Sequence, residues 1–157
     1  MNTIALIGID LGKHSFHVHC QDQSGKALLR KKFTRTKLME FLADCFPATV
    51  VMEACAGAHF MARRIADLGH EAKLISPQFV RPFVKSNKND FIHAEAICEA
   101  ASRPSMRFVQ PRTEAQQAMR ALHRVRESLV RDKVKTTNQM QAFLLEFGIS
   151  MPKGIAG

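Results

Sequence analysis

Two apolar runs that each stop at an acid constrain this chain most. Residues 4–10 read IALIGID and residues 48–55 read ATVVMEAC, so that Asp10 closes the first run and Glu53 the second. Short, continuous, β-branched runs of this kind read as buried central strands rather than half-exposed ones. A fold with two such strands needs helices to cover its sheet.

The intervening sequence supplies them. Residues 15–22 (SFHVHCQD) alternate Phe16, Val18 and Cys20 with His17 and His19, the period of a strand with one covered face. On that reading the histidines lie on the polar face, although a metal held by His17 and His19 is conceivable. The turn at 23–25 leads to a returning strand at 26–33. Residues 34–46 place Leu38, Phe41, Leu42 and Cys45 at helical spacing, with Thr34 or Thr36 as the N-cap. A second helix at 56–69 is opened near Gly57 and closed by Gly69. A strand at 70–76 follows, and Pro77 starts a connection. Residues 90–101 form a helix, 103–112 an extended connector with two prolines, and 113–147 one long helix.

At 157 residues, with 46% apolar residues, the chain fits one domain with a buried core and little left over. No apolar run approaches the length that spans a bilayer. The N-terminus lacks the basic segment of a signal peptide and reads as a first strand. Cys20, Cys45, Cys55 and Cys98 contain no CxxC pair, which excludes the usual zinc knuckles and suits small buried side chains in a reducing compartment, the cytoplasm. The net charge is +9 and is uneven. Residues 1–100 hold 13 basic and 10 acidic residues, whereas residues 101–157 hold 10 and 4. A polyanion, nucleic acid first, is the natural partner.

Three strands, helix, strand, helix, strand, with acids ending the first and fourth strands, is the ribonuclease H-like order. There the two strands are neighbours and both acids reach one end of the sheet, where such folds place their sites. A helix on the same side adds Asp90 and His93, one turn apart on a shared face. Asp10, Glu53, Asp90 and His93 would then surround one or two Mg²⁺ ions, since hard oxygen donors suit that ion. Each residue also has an ordinary reading. Strands often leave the core on an acid, Asp90 caps a helix, and His93 is structural.

The segments GIDLGKHSFHV, VVMEACAGAHFMARRIADLGHEAKLISP, VRPFVKSNKND and AEAICEAASRPSMRFV resemble the N-terminal domain of the DEDD transposases of bacterial insertion sequences. These are relatives of the Piv DNA invertase, with a RuvC-like catalytic domain, and the resemblance runs across residues 4–147. It implies a metal-dependent recombinase that cleaves and rejoins DNA, uses Mg²⁺ or Mn²⁺, and is guided by a structured bridge RNA. It also implies a C-terminal domain with a serine nucleophile, to which nothing here corresponds, so the chain is expected to be a fragment. Within the resemblance, the family's first Asp falls on Asp10, its Glu on Glu53 and its third acid on Asp90. The fourth acid falls on His93, because NDFIHAEAI stands where the family carries an Asp three residues after the third acid. Glu95 lies about 140° around the helix from Asp90 and does not replace it. Imidazole is a competent ligand, and some RuvC-like resolvases show a His among the acids. It nevertheless removes a charge and favours Mn²⁺ relative to Mg²⁺. The alternative is a non-enzymatic nucleic-acid-binding and dimerisation remnant with a defective site.

GIDLGK also resembles the first phosphate loop of the actin-like ATPases, giving a third reading as a nucleotide-binding domain. In it Lys13 touches a phosphate; otherwise Lys13 is a solvated turn residue. On the long helix, Arg120, Arg124, Arg131 and Lys135 fall within about 60° of one another, while Ala118, Leu122, Val125, Leu129, Met140, Phe143 and Phe147 lie on the opposite side at near-heptad spacing. The resemblance makes this helix a coiled-coil arm that builds a homodimer or a higher assembly. The basic ridge is either a solvated face or a contact for DNA or RNA phosphates. The expected organisation is a RuvC-like domain at 1–112, the arm at 113–147 and a connector at 148–157.

Overall fold

The protein is described here by a computed structural model, which covers residues 3–85 and 89–152. Residues 86–88 of the KSNKND stretch and 153–157 of the connector lie outside the described residues. Residues through Thr113 form one compact unit, and Glu114 onward a second.

The first unit is a six-stranded mixed sheet in the order β3-β2-β1-β4-β5-β6. Strands β1 (Leu6–Leu11), β2 (Phe16–Gln21) and β3 (Ala27–Phe33) form an antiparallel meander. Strands β4 (Thr49–Glu53) and β5 (Glu71–Ile75) lie parallel to β1. Helices α1 (Arg35–Asp44) and α2 (Ala58–Asp67) connect β3 to β4 and β4 to β5. Helix α4 (Asp90–Ala101) packs against β1, β2 and β4. This is the ribonuclease H-like arrangement read from the sequence.

Strand parity divides the core in two. Ile7, Ile9, Phe16, Val18, Val50 and Met52 share one cluster with Leu38 and Leu42 of α1 and with Met61 and Ile65 of α2. The opposite parity places Val51 and Ile75 in a second cluster with Ala96, Ile97 and Ala100 of α4. Gly8 belongs to this second face. A Cβ added there would stand 2.5 Å from the Ala94 carbonyl oxygen and 2.6 Å from Cys98 Sγ, so the missing side chain lets α4 approach the sheet closely.

Several local expectations are narrowed or changed. Thr34 caps α1, its hydroxyl accepting from the Lys37 N–H at 3.4 Å. Asn89, rather than Asp90, caps α4, accepting from the Phe91 N–H at 3.0 Å. The connection after Pro77 is partly helical, with α3 (Pro77–Val80) followed by a 3₁₀ turn at Arg81–Phe83. Proline is at home in the first turn of a helix, where no intrahelical N–H is needed. The extended connector contributes β6 (Phe108–Val109), which pairs antiparallel with β5. The largest correction concerns β2. His17 and His19 are buried, 7% and 1% exposed, because α4 covers the face that alternation alone marks as polar. Cys55 is exposed, although Cys20 and Cys98 are buried and their thiol pKa values are pushed up to about 12 chiefly by burial.

The second unit is dominated by α5 (Glu114–Leu145), 32 residues long and about 48 Å in length. It buries none of its residues. Leu122, Val125, Leu129, Met140 and Phe143 of the apolar stripe are all exposed. Among the described residues no helix is long and apolar enough to cross a membrane.

Candidate functional site

Asp10 and Glu53 end adjacent parallel strands on the face covered by α4. The last paired positions are Ile9 and Met52, and each acid is the next residue along. The first turn of α4 rises over the same end of the sheet. It delivers His93, whose Nε2 lies 2.5 Å from Glu53 Oε2 and 3.9 Å from Asp10 Oδ1. The His93 side chain is 28% exposed, that of Asp10 25% and that of Glu53 19%, so the cluster is half-buried with an opening to solvent.

Asp90 begins α4, where the N-terminal dipole favours an acid. Its carboxylate points to β2, with Oδ2 3.6 Å from His17 Nδ1. His17 pairs directly with Asp10 in the β1–β2 ladder. Its ring also meets Phe91 edge to face, with centroids 4.8 Å apart. The histidine read as a polar-face residue therefore stands beside the site. One signal for this lay in the hairpin. If Leu11 faces Phe16 across the turn, His17 must face Asp10.

The electrostatics follow from this crowding. Burial pushes the Asp10 carboxyl above its ordinary pKa; His93 opposes that, Asp90 adds to it, His17 opposes it and Glu53 adds to it. Cys55 follows Glu53 by two residues, and burial, Glu53 and Asp10 raise its thiol pKa in that order. Glu95 is turned away, its Oε2 accepting from Arg30 Nη2 at 2.7 Å. His19 is likewise occupied: Arg30 Nε donates to its Nδ1 at 3.3 Å, and the Gln21 amide meets its Nε2 at 3.1 Å. Burial and Arg30 lower its pKa.

Three carboxylates and an imidazole, with no lysine or arginine ion-paired to any of them among the described residues, are a donor set that suits a divalent cation. Among the described residues no three such side chains already stand as a ready-made metal cluster. The His93 ring is closed onto Glu53. A cation would have to replace that contact.

The nucleic-acid candidates are spread over both units. Lys13 is exposed in the β1–β2 turn. Arg120, Arg124, Arg131 and Lys135 are exposed on α5, and Arg131 pairs with Glu127 at 2.7 Å.

The family model for IS110-type DEDD proteins, described as a transposase, matches residues 7–149. The chain belongs to the IS110-type transposases. It is 74% identical over 156 residues to the transposase for insertion sequence element IS1328 of Yersinia enterocolitica, covering 99% of this chain and 47% of that protein. It is 45% identical over 146 residues to a probable family 20 transposase of Pseudomonas aeruginosa, covering 93% and 43%. The transposase for insertion sequence element IS1111A of Coxiella burnetii is 41% identical over 154 residues, covering 98% and 42%. The transposase chain thus spans less than half the length of these relatives.

Proposed function

We propose that this chain is the catalytic domain of an insertion-sequence transposase that uses a divalent metal, Mg²⁺ or Mn²⁺, to cleave and rejoin DNA. The observation that carries the reading is the meeting of Asp10, Glu53 and His93 at one sheet end, with Asp90 on the adjoining helical turn. Asp10, Glu53, Asp90 and His93 would hold the ion. What a bound ion supplies there is polarisation of a phosphodiester and stabilisation of its leaving oxygen. The protein's part is to orient and to exclude. β1 and β4 fix two carboxylates on a rigid sheet, and α4 shields them from bulk water on one side.

Lys13 and the ridge of Arg120, Arg124, Arg131 and Lys135 would bind phosphates of DNA, and of a structured guide RNA if one is used. The exposed apolar stripe of α5 would be covered by its counterpart in a homodimer, a bacterial cytoplasmic assembly. Sedimentation across a range of chain concentrations tests this, and a monomer throughout would remove the dimer.

Calorimetry with Mn²⁺ tests the centre. The wild-type chain should bind and Asp10→Ala should not; equal binding by both defeats the metal reading. A second reading is favoured by the His93–Glu53 contact: a nucleic-acid-binding and dimerisation module whose site is closed. It predicts DNA or RNA binding by the wild-type chain with no Mn²⁺ uptake.

A further inference from the structure

We propose that His17 is a positioning residue of this site, holding Asp90 and the first turn of α4 over the Asp10 end of β1. The proposal rests on the metal-site reading above and deepens it.

Three observations converge on His17. Its backbone is locked opposite Asp10 by the β1–β2 register. Its side chain is 9% exposed and its ring lies edge to face on Phe91, the residue after Asp90, at 4.8 Å and 83°. Its Nδ1 is 3.6 Å from Asp90 Oδ2, and among the described residues Asp90 has no other ion-pair partner.

Asp90 needs such a partner. Its side chain is 68% exposed and stands at the start of a helix, free to turn toward water. It also repels Asp10, since its charge is one of the causes that raise the Asp10 carboxyl. Two like charges near one another separate unless something holds them. His17 faces both, being Asp10's ladder neighbour and Asp90's contact. At 3.6 Å the contact is a polar approach longer than a hydrogen bond. The Phe91 ring contact therefore does part of the holding, and it fixes the helix turn that carries Asp90. Partners that orient metal ligands in this way typically change metal affinity 10- to 100-fold, as an order of magnitude, when removed.

Mn²⁺ calorimetry and thermal melts on the 157-residue chain test this. His17→Phe keeps an aromatic ring beside Phe91 and loses the polar contact. Its Mn²⁺ affinity should fall about tenfold, with Tm close to wild type. His17→Asn, which presents an amide near the position of Nδ1, should restore it. In an Asp90→Ala background, His17→Phe should cause no further loss, because its effect passes through Asp90. Wild-type affinity in His17→Phe, or an undiminished loss in the Asp90→Ala background, overturns the proposal. If His17→Phe does not fold, Asn and Gln decide. Near-normal affinity with Asn and a loss of about tenfold with Gln support it, and equal affinities overturn it. Asp10→Asn separates the two levels. If it binds Mn²⁺ like wild type, the metal site itself is wrong and His17 falls with it. If it abolishes binding while His17→Phe does not weaken it, only the role of His17 is lost.

Discussion

His93 Nε2 and Glu53 Oε2 stand 2.5 Å apart, so that two prospective ligands satisfy each other. A cation held there would have to separate them. Replacing His93→Asp removes the contact and adds a charge. Mg²⁺ affinity should then rise about tenfold, because hard-ion sites are tuned by ligand charge. In chelator, Tm should fall, because four carboxylates crowd one sheet end. Mg²⁺ calorimetry and melts in EDTA read both effects, and unchanged Mg²⁺ affinity would show that position 93 does not face the ion.

The raised Asp10 carboxyl has a stability consequence whose sign is fixed. The folded chain keeps this proton at pH values where the unfolded chain has lost it. Stability from Asp10 is therefore greatest below the ordinary carboxylate pKa and falls as pH rises through the folded value. Asp10→Asn should flatten that fall and should melt higher than wild type at neutral pH without metal. Melts across the acidic range in EDTA check it; parallel curves would contradict it.

Gly8 sets how near α4 comes to the sheet. Gly8→Ala should cost about 1–3 kcal/mol, the usual range for overpacking a tight core. Removing the cysteine sulfur with Cys98→Ala should not restore the loss, since the Ala94 carbonyl remains in the way. Urea unfolding of the single and double variants measures this.

The strands are legible in the sequence because buried runs such as IALIGID have few other uses, and their order follows from the alternation with helices. The adjacency of Asp10 and Glu53 follows from that topology alone. The environment of β2 is not legible in the same way. Its alternating pattern reports one apolar face, and nothing local announces that a helix some 70 residues later will cover the other. His17 and His19 are tolerated there because each has polar company, Asp90 of the distant α4 for one and Arg30, its ladder partner on β3, for the other. Helix α3 is hidden for a different reason: Pro77 punctuates a chain whether it ends one element or opens the next.

His70 ties three segments together. It is 5% exposed, its Nδ1 accepts from the Ala48 N–H at 3.2 Å, and its Nε2 donates to the Leu42 carbonyl at 2.8 Å. His70→Ala leaves both backbone groups without these partners and should cost about 3 kcal/mol. Urea unfolding tests this, and a loss within error of zero would mean that water replaces the ring.

The α5 ridge has unequal members, since Arg131 is paired with Glu127 whereas no ion pair holds Arg120, Arg124 or Lys135 among the described residues. If the ridge meets phosphates, converting those three to Ala should reduce the slope of log affinity against log salt by roughly three. Arg131→Ala should change it less. Filter binding to DNA over a salt series reads the slopes, and an unaltered slope would make the ridge a solvated face.

The two margins of the sheet are closed to growth by different means. On one side β3 carries Lys31 and Lys32, both exposed, so a second copy approaching edge to edge would meet like charge. On the other, β6 is only two residues long and offers too little backbone to template another strand. A second copy is thereby kept from fusing with the domain through its own ladders. Any assembly the domain enters would then rest on side chains rather than on a shared backbone ladder, and side-chain contacts part more readily than paired strands.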